Sequence, residues 1–322
     1  MSQSISRAVQ EVPIERTGAR PSPPSIVGLG YCTYDILALV PHVPEFDDVY
    51  MVHVSELIHD GGGQVGTALV AAARLGARTG YIGALDDDRE GQQLREMFEA
   101  EGVDVSRLRV VPGSGTNVCI ILVNEGTAGR SILCAARASR EALHLDTTDR
   151  AYVETAQVLH LDGQFMPAAI QAARWAKKAG TLVCFDGNHP RPGLDTLLPL
   201  VNWLVVAAPF PQAYTGVATP HEAAQALLAL GPELLVVTHG EKGCEVWTRQ
   251  THFSVPGFEV DAVDTTGAGD AFHGAFLYAM VQQWTLARAA RFANAVAALN
   301  CRTLGGRRGL PTLAQARAFL RS

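Results

Sequence analysis

The chain has 322 residues, 48% of them hydrophobic, with 31 glycines and a formal net charge of −6. That length exceeds the ~250–300 residues at which one core stops growing, so one large domain with an appendage is expected ahead of two equal domains. The acidic balance provides no basic field for nucleic acid or an anionic membrane, and no apolar run approaches the ~18 residues of a membrane span.

Residues 1–23 are polar, end Pro-rich and lack a signal-peptide core. They read as a loosely ordered tail ahead of a cytoplasmic domain over 24–322. "SIVGLGY" reads as a buried first strand. Its Gly-Leu-Gly is not a dinucleotide fingerprint, because the third glycine would fall at Thr33. Residues 37–59 carry prolines and alternate apolar with polar positions, the pattern of short strands outside a main sheet. "GGGQVGTALVAAARLGA" opens on glycines and turns helical, with Val65, Leu69, Ala72 and Leu75 on one face and Gly76 as a left-handed stop. "TGYIGAL" returns to strand, and an amphipathic helix follows, closed by Glu101-Gly102. Residues 114–137 contain a hairpin with its turn at Asn124 to Gly129. The two β-rich insertions are expected to pair as one small lid sheet.

From about residue 150, strands and helices alternate, which predicts a parallel sheet covered by helices, with ligands at the carboxyl ends of its strands. "CEVWTRQTHFSV" is a second hairpin, and helices finish the chain. Cys32, Cys119, Cys134, Cys184, Cys244 and Cys301 form no C-x-x-C pair and read as small buried hydrophobes in a reducing compartment. The ten histidines are scattered, with no H-x-x-x-H pair, so sequence spacing supports no zinc site.

The densest chemistry lies in "DTTGAGDAF", residues 264–272. Gly267, Ala268 and Gly269 have almost no side-chain bulk and sit where a helix begins, judged by Phe272, Ala275, Phe276 and Ala279 on one face. The first amides of a helix lack internal partners and carry partial positive charge, so the turn is a ready anion hole. A tight strand-to-helix turn that needs glycine for geometry alone is the plainer alternative. Asp270 beside the turn would repel a bound phosphate. Its position becomes sensible if it accepts the proton of a hydroxyl that attacks that phosphate.

With these residues in place, "VDTTGAGDAFHGAF" resembles the C-terminal signature of the ribokinase-like (PfkB) carbohydrate kinases, and "GGGQVGTALVAAARLGA" resembles their N-terminal signature. The resemblance runs from about residue 25 to 320. It implies a three-layer α/β sandwich with a mostly parallel central sheet and a small β-sheet lid. The implied activity is transfer of the ATP γ-phosphate to a primary hydroxyl of a small ketohexose-like or ribose-like sugar. Asp270 maps to the base, and Gly267, Ala268 and Gly269 to the anion hole. Asp35, Gly62, Gly63 and Thr67 map to the sugar site. Thr238, Gly240 and Gly243 map beside the nucleotide, and Asn294 to the adenine pocket. Asp264 and Thr266 match positions that hold a monovalent cation, K+ in kind, in many members. ATP and Mg2+ are the implied cofactors, and a homodimer through the lid the implied assembly.

Three departures stand out. Thr67 occupies a position commonly held by Asn. Ala207 and Phe210 occupy the N-x-x-E positions associated with magnesium and phosphate. "FDGNHPR" keeps Asp186 and Asn188 of the D-P-N-x-R segment but shifts Arg191 by one. Within the family, the tail "CRTLGGRRGLP" and the "GGG…AAARLGA" helix look most like those of members acting on fructose-type ketoses, including the sulfofructose kinases. A nucleoside acceptor, or a sensor that has lost catalysis, remains an alternative. Asp162 and His160 are expected to cap or turn, with Asp162 or Gly163 near the sugar as the other option. His239 could touch the nucleotide, and Arg130 and Arg137 an anionic substrate group. Arg307 and Arg308 read as a surface loop.

Overall fold

The computed structural model describes residues 23–42, 44, 51–135 and 143–321. Nearly all of the expected tail, parts of both lid segments and Arg137 lie outside these residues.

The chain opens with β1 (Ile26–Leu29), whose side chains are all buried. It leaves the main sheet for β2 (Thr33–Val40) and β3 (Glu56–Gly62), then returns through α1 (Gln64–Arg74), β4 (Thr79–Leu85), α2 (Arg89–Ala100) and β5 (Asp104–Val110). A second excursion makes β6 (Val118–Asn124) and β7 (Arg130–Ala135). Then follow α3 (Thr147–Glu154), β8 (Val158–Leu161), α4 (Met166–Ala179), β9 (Leu182–Gly187), α5 (Leu194–Leu197), β10 (Trp203–Ala207), α6 (Phe210–Thr215), α7 (Pro220–Ala229) and β11 (Leu234–Thr238). The hairpin β12 (Cys244–Thr248) and β13 (His252–Val255) precedes α8 (Ala268–Val281), α9 (Leu286–Asn300) and α10 (Leu313–Phe319).

Nine strands form the main sheet in the order β13-β12-β11-β10-β9-β8-β1-β4-β5. Neighbours from β5 to β11 are parallel, while β12 and β13 pair antiparallel. A parallel sheet must be covered on both faces, and its strands accordingly read as continuous apolar runs. Two cores result. One packs α1, α2, α8, α9 and α10 on one face through residues such as Leu69, Phe98, Phe276 and Phe292. The other packs α3, α4, α5 and α7 on the opposite face through Val153, Ala172, Leu197 and Leu227. The helical face expected for α1 is the buried one, with Val65, Leu69, Ala72 and Leu75 all sealed.

The two insertions do pair into one four-stranded sheet, in the order β3-β2-β6-β7. It is mixed: β2 runs antiparallel to β3 and parallel to β6, and β6 pairs antiparallel with β7. Its inner face has a small core of Leu37, Ile58, Cys119, Ile121 and Val123, joined by Leu304 from the C-terminal loop. The reading of all six cysteines as small free hydrophobes is corrected here. Cys119 and Cys134, aligned across β6 and β7, form a disulfide, whereas Cys32, Cys184, Cys244 and Cys301 are free and buried. The paired strands place these two side by side, which no C-x-x-C spacing could announce.

Candidate active site

The sheet order locates the site. From β1 the chain builds β4 and β5 on one side and β8 to β13 on the other, so the order reverses between β1 and β8. Open α/β sheets bind ligands outside the strand carboxyl ends at such a reversal. Asp162 follows β8 there, Asp186 lies in β9, and Thr238 ends β11. The lid strand β2, which carries Asp35, follows directly on β1.

The glycine turn at 267–269 forms as the sequence predicts. Gly267 has φ 74°, a left-handed conformation that admits glycine readily. A Cβ on it would lie 2.6 Å from the Gly306 carbonyl oxygen. Helix α8 begins at the next residue with no side-chain cap; the Ala268 amide donates to the Thr265 carbonyl at 3.3 Å, which leaves the Gly267 and Gly269 amides beside it for a ligand. Space around Gly269 is open: nothing lies within 4 Å of a Cβ built there. Asp270 sits in this first turn and keeps part of its surface exposed. Burial, followed by the charges of Asp186 and Asp162, pushes its carboxyl up to about 7, against the pull of His273 and Arg130.

Behind Asp270, one helical turn on, His273 places Nε2 3.3 Å from Asp186 Oδ1, and both side chains are buried. Burial alone would raise Asp186, but its contact with His273 outweighs that and holds the carboxyl below its usual range. Arg130 reaches from β7 to this end of the site, donating to the Thr265 hydroxyl at 2.6 Å.

The second group of residues lies under the lid. Asp35 is buried, its carboxyl is pushed up to about 6 mainly by burial, and its Oδ1 has no hydrogen-bond partner among the described residues. Gly62 must be glycine, because a Cβ there would run into the Asp35 carboxylate. Gly63, at φ 85°, packs against the backbone of Tyr31 and Cys32 and starts α1. Thr67 is fully buried, and its hydroxyl accepts from Arg307 Nε at 3.3 Å.

Arg307 corrects the surface-loop reading. It is 3% exposed, lies over the Phe98 ring at 4.6 Å, and donates through Nη2 to the Gly62 carbonyl at 2.7 Å. Its own backbone amide donates to Asp60 Oδ2 at 2.9 Å. Arg308 does stay half-exposed, paired with Glu56 at 2.9 Å. The loop they belong to joins the two glycine turns. A Cβ on Gly306 would lie 3.8 Å from the Gly61 oxygen and 3.9 Å from Gly267 Cα. Sequence reasoning missed this because Arg-Arg between glycines carries no burial signal.

The remaining candidates fall around these two groups. Thr238 donates its hydroxyl to the Val206 carbonyl at 3.3 Å, and Gly240 and Gly243 both take positive φ in the loop beyond it. Asn294 donates to the carbonyls of Val255 and Pro256 at 3.1 and 3.0 Å, and so fixes the segment after β13. His239 turns to Glu245, with Nε2 3.2 Å from Oε2. Asp162 takes a turn role and caps no helix: its oxygens accept from the amides of Tyr31 at 2.6 Å and Gln164 at 2.9 Å. Phe210 is buried and stacked on Tyr214, so no acid stands at that place to position magnesium.

Asp264 and Thr266 suit a monovalent cation. Asp264 is fully buried, accepts from the amides of Thr266 at 2.8 Å and Gly305 at 2.9 Å, and makes no ion pair among the described residues. The hydroxyl of Thr266 and Oδ1 of Asn300 lie buried without hydrogen-bond partners among the described residues. A buried carboxylate beside idle oxygens is a setting that a weakly hydrated cation stabilises. Asn300 joins this set only through the fold: its Nδ2 donates to the carbonyls of Thr266 at 3.2 Å and Gly306 at 3.1 Å.

A mostly parallel nine-stranded sheet with a small separate sheet of four strands is the architecture of the ribokinase-like fold. The chain belongs to the pfkB family of carbohydrate kinases, whose family model matches residues 24–313. It is 30% identical to an ATP-dependent ribose-1-phosphate kinase of Halopiger xanaduensis, over 92% of this chain and 97% of that one. A probable fructokinase-2 of Arabidopsis thaliana is 28% identical, over 88% and 93%. A ribokinase of Arabidopsis thaliana, solved with ribose and ATP, shares the fold at a TM-score of 0.82 and 24% identity, covering 93% of this chain and 99% of that one. The protein is therefore an ATP-dependent sugar kinase.

Proposed function

We propose that the chain transfers the γ-phosphate of ATP to a primary hydroxyl of a small ribose-like or ketohexose-like sugar. One observation carries this reading: two buried or half-buried acids with raised carboxyls, Asp35 and Asp270, each stand beside a glycine turn, and the space at Gly269 is open. The idle Oδ1 of Asp35 receives a sugar hydroxyl, and Gly62 and Gly63 let the ring approach the backbone. Asp270 accepts the proton of the attacking hydroxyl. The amides of Gly267 and Gly269, on either side of Ala268, hold the transferring phosphoryl group, whose transition state needs alignment and charge neutralisation more than covalent help. Asp264, Thr266 and Asn300 would hold a monovalent cation, which would steady the loop ahead of the turn, and Mg2+ accompanying ATP would neutralise charge on its phosphates. The backbone around Thr238, Gly240, Gly243 and Asn294 takes the nucleotide.

A phosphorylated pentose is a second acceptor class, favoured by the ribose-1-phosphate kinase relative and by Arg130 beside Thr265. The lid supports a homodimer. Leu57, Ile120 and Leu133 face away from its core and are 58%, 48% and 59% exposed. Such an apolar face is more stable covered. A coupled ADP-release panel of pentoses, ketohexoses, their phosphates and nucleosides tests the acceptor. Turnover confined to nucleosides, or ATP binding without turnover of any acceptor, would overturn the sugar assignment.

A further inference from the structure

Beneath Asp270 and Asp186, three elements bring metal-ligating side chains together: His160 from β8, Cys184 from β9 and His273 from α8. One ligand atom from each lies within 4.8 Å of the other two, and all three side chains are buried. The strand register pairs His160 with Cys184, so the backbone fixes that half of the cluster. Neither ring nitrogen of His160, nor Nδ1 of His273, has a hydrogen-bond partner among the described residues. A buried polar group left idle is costly, and a bound ion would remove that cost. His273 has its other nitrogen on Asp186, at 3.3 Å. A carboxylate on one ring nitrogen is what commonly orients a histidine that binds metal through the other.

We propose that His160, Cys184 and His273 form a site for a thiophilic transition-metal ion of the zinc class. Two imidazoles and a thiolate suit such an ion, whereas magnesium prefers oxygen, so this site is separate from the metal that accompanies ATP. Bonds of ~2.0–2.3 Å to a tetrahedral ion place its ligand atoms roughly 3.5 Å apart, so side-chain rotation closes the cluster around it. On binding, the Cys184 thiol releases its proton to solvent and its sulfur electron pair forms the metal bond. The ion then locks the orientation of His273, and with it Asp186, the largest charge acting on Asp270.

The test uses the full-length, tag-free protein, stripped with a chelator and re-equilibrated with Zn2+ alone. Atomic emission counts bound metal, and Co2+ in place of Zn2+ reports a thiolate ligand by its charge-transfer absorption. The expected result is one zinc per chain and a thiolate band with cobalt. Cys184→Ala and His160→Gln should each weaken zinc binding by about tenfold or more, with the circular-dichroism spectrum kept. The wild-type cobalt spectrum decides the matter even where a variant folds poorly. Absence of stoichiometric zinc in the wild type, absence of the thiolate band, or zinc uptake unchanged in both folded variants overturns the proposal.

Discussion

The main sheet and the lid solve opposite problems. The main sheet is covered on both faces by two cores, and its strand ends hold Asp162, Asp186 and the turn at Gly267 against well-packed neighbours. The lid has one small core and an apolar outer face exposed at Leu57, Ile120 and Leu133. Rigid packing suits groups that must meet a transition state within a fraction of an ångström. A thin sheet over a shared edge suits a surface that admits the substrate and then excludes water. On the mechanism we propose, this difference gives the chemistry to the body and the choice of acceptor to the lid.

The largest expected effect breaks the body's side of that division. Asp270→Asn should lower kcat by about 10²–10⁴ with little change in ATP or sugar affinity, because a general base is lost and its shape retained. On the lid side, Asp35→Ala should raise KM for the sugar by roughly 10- to 100-fold while KM for ATP barely moves, the loss of hydrogen bonds to a charged group. If Asp35→Ala lowered kcat as far as Asp270→Asn, the division would fail.

Arg307 tests whether the two regions are coupled. Arg307→Ala removes the donor that bridges Gly62 and Thr67 and leaves a cavity beside Phe98. A stability loss of about 3 kcal/mol or more is expected in chemical denaturation. A surface arginine would give a loss within about 0.5 kcal/mol.

The pH dependence has a definite sign. Asp270 must be ionised to accept a proton, and its carboxyl is pushed up to about 7. Activity should therefore rise with pH through about 7 and fall away on the acid side. Asp186→Asn removes the charge that helps hold Asp270 up, so the acid limb should move to lower pH. A limb that stays in place would show that Asp270 is not the titrating group. The smallest effect belongs to the lid's outer face: Leu133→Lys should convert a dimer to monomer in light scattering, with near-normal turnover at saturating sugar. A wild-type monomer at micromolar concentration would contradict the dimer.

What the sequence reveals follows the same division. The turn at 267–269, Asp270 and the α1 face are contiguous or periodic, so local chemistry and the helical repeat expose them. The lid pairing also follows, because alternating apolar strands must find partners. Arg307, Asn300 and the His160–Cys184–His273 cluster are different: even where a member such as Cys184 reads as buried, the partners that give it a role lie on other elements, and only the fold brings them together. The paired Cys119 and Cys134 belong with them, since only the β6–β7 register brings them together.

The central claim is that Asp270 serves as the proton acceptor in phosphoryl transfer to a sugar. Its most direct test is single-turnover ADP release by wild type and Asp270→Asn, with the best acceptor of the sugar panel at saturation. The account predicts sugar-dependent ADP release by the wild type and a rate lower by about 10²–10⁴ in the variant, with both ligands still bound. Release by the variant at the wild-type rate would contradict it.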